Sequence, residues 1–220
     1  CERSGYPRDS VPIHSAGDGG RERAYITAGM IERFSSSTDF VVGVVADTHV
    51  PDRRASLHPQ LIPSMAAEKV QLILHAGDIC VPRILRELEE VAPVIAVRGN
   101  RDLVFGSELP LSRRLEINGH PVFLSHGHMG MASYWLDKVQ HALRGYQADR
   151  YLRRMTQADP HAEVYIFGHS HCAEEIQRQG RLYFNPGSAT FALPPETRRS
   201  WGLIVFSPDS IKTRIRYLDE

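Results

Sequence analysis

Short runs of uninterrupted apolar residues alternate, in the first half of the chain, with stretches whose apolar positions recur every three or four residues. Phe40-Val-Val-Gly-Val-Val-Ala46, Val70-Gln-Leu-Ile-Leu74 and Val94-Ile-Ala-Val97 are apolar almost throughout, the pattern of strands covered on both faces. A loop with Pro51 and Pro59 precedes a predicted helix around Ile62 to Lys69. Pro82 suits the first turn of another helix, where Ile84, Leu85, Leu88 and Val91 repeat at helical spacing. Strand, helix, strand, helix, strand is the order of a parallel α/β sheet.

The second half changes texture. Arg114-Leu-Glu-Ile117, the turn Asn118-Gly119 and Pro121-Val-Phe-Leu124 read as a hairpin. One long helix is expected from about Ala132 to Met155, with Trp135, Val139 and Leu143 at i, i+4 and i+8. Val164-Tyr-Ile-Phe167 is a further strand. The end reads as antiparallel strands near 175–177, 182–184, 202–206 and 212–217. Residues 1–39, rich in Gly, Ser, Arg and Asp, lack a lasting period and read as a loosely ordered tail, in which Met30 is one candidate start. The expected domain runs from 40 to 220.

Composition narrows the function classes. The 220 residues carry 26 Lys plus Arg against 26 Asp plus Glu, a formal net charge of zero. That balance argues against coating nucleic acid or an anionic membrane. No apolar run approaches the roughly 20 residues needed to span a bilayer. Three cysteines make no disulfide framework, so a reducing, cytoplasmic setting is expected. The unusual count is 11 histidines.

Several of those histidines sit where strands end. The strand termini read Asp47-Thr48-His49, Gly77-Asp78, Gly99-Asn100-Arg101-Asp102, Ser125-His126-Gly127-His128 and Gly168-His169-Ser170-His171. In α/β sheets, residues at the carboxyl ends of strands converge and bind ligands. Each piece alone reads as surface decoration or a hydrogen-bonded histidine; five together point to one site. Carboxylate, amide and imidazole form a mixed oxygen and nitrogen set. It suits Mn²⁺, Fe, Zn²⁺ or Ni²⁺ better than Ca²⁺, and its size suits two ions sharing a carboxylate. Such a site attracts phosphate and stabilises charge developing in phosphoryl transfer.

This ordered set, Asp-x-His, Gly-Asp, Gly-Asn-x-Asp, His-Gly-His and Gly-His-x-His, resembles the calcineurin-like metallophosphoesterases, in particular the small prokaryotic YfcE-like phosphodiesterases. The resemblance runs from about Val41 to the C-terminus and includes Asn185-Pro-Gly-Ser188. It implies an α/β fold: a two-sheet sandwich of mixed strands flanked by helices, four layers in all. It implies two divalent ions, Mn favoured, with Asp47, His49 and His171 on the first, Asp78 bridging, and Asn100, His126 and His169 on the second. The implied activity is phosphodiester hydrolysis by in-line attack of a metal-bridging hydroxide on a small substrate, without a membrane or a stable nucleic acid partner. Self-association stays open.

One position departs from the family pattern. Where many members carry a proton-donating His after the Asn, this chain has Arg101, which stays protonated and can bind phosphate oxygens but not give a proton. Esters with poor leaving groups should suffer most. The bland alternative is a loop arginine facing solvent. Asn100, Arg101 and His128 are the candidate catalytic groups, with a supporting role for His128 equally open. Cys80 and Cys172 read as free thiols, His75 as a core or supporting residue, and Asn185 to Ser188 as a turn under the site. The helical region after His128, with Tyr134, Trp135, Arg144, Arg150, Arg153 and Arg154, is either a substrate-selecting rim or a packing helix with a basic solvated face. Alternative functions are a nucleotide or nucleotide-sugar pyrophosphatase, a nuclease, or a non-catalytic scaffold like the retromer subunit of similar fold. All seven expected ligand positions are filled, which favours catalysis.

Overall fold

In the computed structural model, which describes residues 31–145, 147–191 and 198–218, the apolar runs become strands of two sheets. The first half supplies β1 (Ile31–Phe34), β2 (Phe40–Val45), α1 (Leu61–Ala67), β3 (Leu72–His75), α2 (Arg83–Leu88), β4 (Val94–Ala96) and α3 (Asn100–Val104). The second supplies β5 (Ser112–Ile117), β6 (His120–Ser125), α4 (Met131–Arg144), α5 (Ala148–Ala158), β7 (Val164–Ile166), β8 (Ala173–Arg178), β9 (Arg181–Pro186), β10 (Ser200–Ser207) and β11 (Ser210–Tyr217). One sheet has the order β11-β10-β2-β3-β4 and the other β1-β5-β6-β7-β9-β8. Strands β2, β3 and β4 run parallel, as do β6, β7 and β9, whereas β10 pairs antiparallel with β2 and β11.

Burial on both faces explains why the strand sequences do not alternate. Val42 and Val44 of β2, with Leu72 and Leu74 of β3, meet Leu115, Val122, Leu124, Val164 and Ile166 of the other sheet. On the opposite face, Val45 and Ile73 pack with Leu61 and Met65 of α1 and Ile84 and Leu88 of α2. The second sheet repeats the plan, Phe123, Tyr165 and Phe167 meeting Tyr151, Leu152 and Met155 of α5. The result is helix, sheet, sheet, helix, the mixed α/β sandwich expected. Each buried Val, Leu, Ile or Phe contributes roughly 1.5–3 kcal/mol. The 118–119 turn forms as read, Asn118 at φ 48° and Gly119 at φ 85°, the left-handed pair that a two-residue hairpin requires.

Three expectations change. Residues 31–34, assigned to the tail, form β1, which pairs parallel with β5. Phe34 packs on the inter-sheet core and on Phe40, and Arg113 holds Glu32 at 2.7 Å. The remainder of the expected tail, residues 1–30, lies outside the described residues. The single helix expected over 132–155 is two, α4 and α5, because Gly145 takes φ +71° and ends α4 in a conformation that only glycine adopts without strain. Finally, α4 is inverted relative to an ordinary packing helix. Trp135, Val139 and Leu143 are 63%, 57% and 76% exposed. Among the described side chains of α4, the buried one is Asp137, gripped by both Nη atoms of Arg154 on α5 at 2.8 Å.

Candidate metal centre

The five motif loops leave the C-terminal ends of β2, β3, β4, β6 and β7, so two adjacent sheet edges aim them at one place. To turn there, Asp47, His49, Asp78, His169 and His171 all adopt left-handed backbone, with φ between 48° and 73°. Left-handed non-glycine residues cost on the order of 1–3 kcal/mol each and persist where the surroundings over-determine them. The loops are stitched together by Asp47 N–H donating to the Gly77 carbonyl at 3.0 Å and His49 N–H to that of Asp78 at 2.9 Å.

All seven sequence-predicted ligand positions converge. His49 Nε2 lies 3.1 Å from His171 Nε2, and Asp47 Oδ1 lies 3.5 Å from the latter. On the other side, His169 Nδ1 lies 3.1 Å from Asn100 Oδ1 and 3.2 Å from His126 Nε2. Asp78 stands between, with Oδ2 3.5 Å from His49 Nε2 and Oδ1 3.6 Å from His126 Nε2. Asp47 is wholly buried, and its Oδ1 has no hydrogen-bond partner. Nδ1–H donation from His126 to the Ala76 carbonyl at 2.7 Å and from His171 to that of Phe191 at 2.9 Å turns the Nε2 atom of each ring inward, where it offers a lone pair once the ring is neutral. An orphaned carboxylate oxygen and opposed imidazole nitrogens fit divalent cations.

Asp102 holds this geometry. It accepts four backbone N–H groups, from Asp78 and Ile79 at 2.9 Å and from Cys80 and Gly99 at 2.7 Å. Gly99 leaves room for the close approach, since a Cβ there would sit 2.0 Å from Asp78 Oδ1. The role of Asp102 went unassigned from sequence, although its place three residues after Gly99 is a helix-start signal. Thr190 carries no local pattern, and Thr48 and Ser188 lie in segments read from sequence without a role of their own. Ser188 Oγ donates to the Asp47 carbonyl at 2.7 Å, Thr190 Oγ1 donates to that of Thr48, and Thr48 Oγ1 meets His75 Nε2 at 3.2 Å. His75 is thereby a buried support; Asn185 and Pro186, expected in a turn, are instead the last residues of β9, and the chain leaves the strand at Gly187, whose N–H donates to Asn185 Oδ1 at 3.0 Å.

Burial shapes the titration of the site. It pushes the Asp47 carboxyl up to about 8, helped by the charge of Asp78 and opposed by His126. It pushes His49 down to about 4 and His169 well below the ordinary imidazole value. For His126 burial acts in the same direction, but Asp78 and Asp47 outweigh it and raise the ring.

Arg101 does not float in solvent: its Nε lies 3.4 Å from Asp52, and its N–H donates to Asp78 Oδ1 at 2.8 Å. His128 is buried with both ring nitrogens lacking hydrogen bonds, stacked at 5.9 Å on His169 and edge-on to His126. Tyr134 at the start of α4 sets its ring 5.9 Å from that of His169. Arg154, expected either in a substrate-selecting rim or on a solvated face, instead donates to the carbonyls of Gly127 and His128 as well as to Asp137. Cys80 is a buried thiol pushed up to about 12 by burial and by the charges of Asp102, Asp78 and Asp52. No helix among the described residues is long and apolar enough to cross a membrane.

A model of the calcineurin-like phosphoesterase superfamily domain matches residues 40–207. A probable metallophosphoesterase of Methanothermobacter thermautotrophicus is 39% identical over 150 residues, 68% of this chain and 77% of that protein. Among solved structures, vacuolar protein sorting 29 from Cryptosporidium parvum superposes with a TM-score of 0.63 at 18% identity, over 82% of this chain and 97% of its own. An archaeal phosphodiesterase superposes with a TM-score of 0.55 at 21% identity, over 80% of this chain and 100% of its own.

Proposed function

Because the chain belongs to the calcineurin-like phosphoesterase superfamily, we propose that it is a phosphodiesterase working with two divalent ions. The observation that carries the two-ion reading is Asp78, whose two oxygens face the His49 and His126 halves of the site. Asp47, His49 and His171 with Asp78 would hold one ion; Asp78, Asn100, His126 and His169 would hold the other. Mn²⁺ suits this mixed oxygen and nitrogen set. When bound, such ions neutralise charge on the phosphoryl group and lower the pKa of water.

The chain's own groups do the rest. Arg101 offers a permanent positive charge to phosphate oxygens, fixed at its backbone by Asp78 and at its side chain by Asp52. His128, held down to about 3 by burial and by the charge of His126, is a neutral imidazole at pH 7. It can donate a hydrogen bond but is a weak acid for a leaving group. Neither residue replaces the missing proton donor, so diesters with good leaving groups are the favoured substrates. Zero net charge supports a small substrate over nucleic acid. The buried thiol of Cys80 supports a cytoplasmic setting.

Proton release follows from the buried carboxyl. Without metal, burial raises the Asp47 carboxyl from the usual carboxylate range to about 8, so at pH 7 it is mostly protonated, and it must lose that proton to bind a cation. Metal affinity therefore rises with pH up to about 8 and levels off above. The sign for folding is the reverse: the folded metal-free chain holds the extra proton, so its stability falls as pH rises from about 4 to about 8. Calorimetry of metal binding at pH 7 in buffers of different ionisation enthalpy checks this. About one proton from Asp47 is expected per chain, with a further fraction wherever His126, whose ring Asp78 and Asp47 raise, is also protonated; none released contradicts it.

The activity is tested by stripping the protein with chelator, adding Mn²⁺, and comparing bis(p-nitrophenyl) phosphate with p-nitrophenyl phosphate and a nucleotide sugar. Faster turnover of the diester is expected. Hydrolysis of the nucleotide sugar alone would replace this reading with a pyrophosphatase, and no turnover with any divalent ion would overturn it.

A further inference from the structure

We propose that Asp52 is a positioning residue that couples the ligand His49 to Arg101; the inference rests on the two-ion reading above. His49 is almost fully buried, and its Nδ1 has no hydrogen-bond partner. That nitrogen is on the far side of the ring from Nε2, which faces Asp78 and His171. Asp52 Oδ2 faces it from 3.6 Å. The same oxygen lies 3.4 Å from Arg101 Nε and 3.7 Å from Arg53 Nε. One carboxylate oxygen thus stands between an imidazole and two guanidinium groups.

Local backbone explains the placement. The His49 carbonyl accepts the Arg53 N–H at 2.7 Å, closing a turn that folds Asp52 back over the ring of His49. Arg101 arrives from the start of α3, with its N–H held by Asp78. Residues 49, 52 and 101 therefore meet through one loop and one helix start, both already tied to Asp78.

Two consequences follow from ordinary chemistry. A carboxylate facing Nδ1 favours the tautomer with the proton there, which keeps the Nε2 lone pair free and makes the ring a better ligand. At 3.6 Å the contact is longer than a hydrogen bond. Such contacts tighten when a site fills. The second consequence concerns Arg101. Its long side chain, about a third exposed, keeps one direction at the mouth of the site only while Asp52 holds it. Arg53 competes weakly for Asp52, because its guanidinium also lies over the Phe191 ring at 5.5 Å.

Asp52→Asn is nearly isosteric and removes the charge. Mn²⁺ binding, read by competition with a fluorescent chelator, should weaken about 10–100-fold at one of the two sites, the loss typical of an outer partner of a histidine ligand. Asp52→Glu should recover part of it. Arg101→Ala should leave Mn²⁺ affinity within about twofold while lowering kcat/KM on the diester. In the double variant Asp52→Asn/Arg101→Ala, the kcat/KM loss should fall short of the product of the single losses, because Asp52 acts in part through Arg101. Melting of the metal-free variants separates these effects from a damaged fold, and Asp52→Ser serves if Asp52→Asn does not fold. Unchanged Mn²⁺ affinity in Asp52→Asn, or multiplicative losses in the double variant, overturns the proposal. A wild-type chain that binds no divalent ion would defeat the two-ion reading instead.

Discussion

Asp78→Asn lowers kcat/KM for diester hydrolysis by about 1,000-fold or more, equivalent to about 4 kcal/mol at the transition state. The substitution keeps the shape and leaves an amide oxygen for the Arg101 N–H now bound by Oδ1. It removes the negative charge and one of two oxygens that face His49 at 3.5 Å and His126 at 3.6 Å. Of the two carboxylates proposed as ligands, Asp78 alone stands between the two histidine pairs, with Asp47 farther from His126 at 3.9 Å. Losing it leaves two adjacent cations with one carboxylate between them, so at most one ion per chain should remain. Metal content by atomic emission, beside kcat/KM, checks both halves. Two retained ions with wild-type rates contradict the assignment.

Asp102→Ala destabilises the fold by about 4 kcal/mol. Four backbone N–H groups lose their acceptor, each carrying roughly 1–3 kcal/mol of desolvation when left unpaired in a buried place. The residue is 1% exposed, so water replaces the lost oxygens only in part. Burial raises the Asp102 carboxyl while the donations from Gly99 and Cys80 oppose the rise. Three of the four donors lie in the turn that carries Asp78, so metal affinity should fall with stability. Urea unfolding of the metal-free variant measures the first effect, and Mn²⁺ competition the second. A loss below about 1 kcal/mol with normal affinity would mean that the turn holds itself.

Strands β2, β3 and β4 were legible in the sequence because burial on both faces leaves no room for polar alternation. The site was legible because its residues sit immediately after strand ends, where topology alone brings them together. The family's sandwich came with that motif set rather than from the apolar pattern. What stayed hidden depends on contacts between distant residues. Strand β1 has only four residues, two of them charged, and is recognisable through its pairing with Arg114 to Ile117. The polar side of α4 is the buried one because Arg154, on another helix, receives Asp137. The apolar stripe Trp135, Val139, Leu143 therefore pointed to the wrong face. Gly145 is a stop signal in plain sight, overridden in the reading by the apolar periodicity of Trp135, Val139 and Leu143 before it. Asp52 looks like an ordinary loop carboxylate, and Asp102 like a motif residue without a role of its own, until His49, Arg101 and four amides are placed around them.

Titration of the chelator-stripped protein with Mn²⁺, following bound metal and diester hydrolysis in the same samples, tests the central claim most directly. Two ions should bind per chain, and hydrolysis should reach its plateau only as the second is taken up. Full activity with one ion per chain, or two bound ions without hydrolysis of any diester, would contradict a two-ion phosphodiesterase built around Asp78.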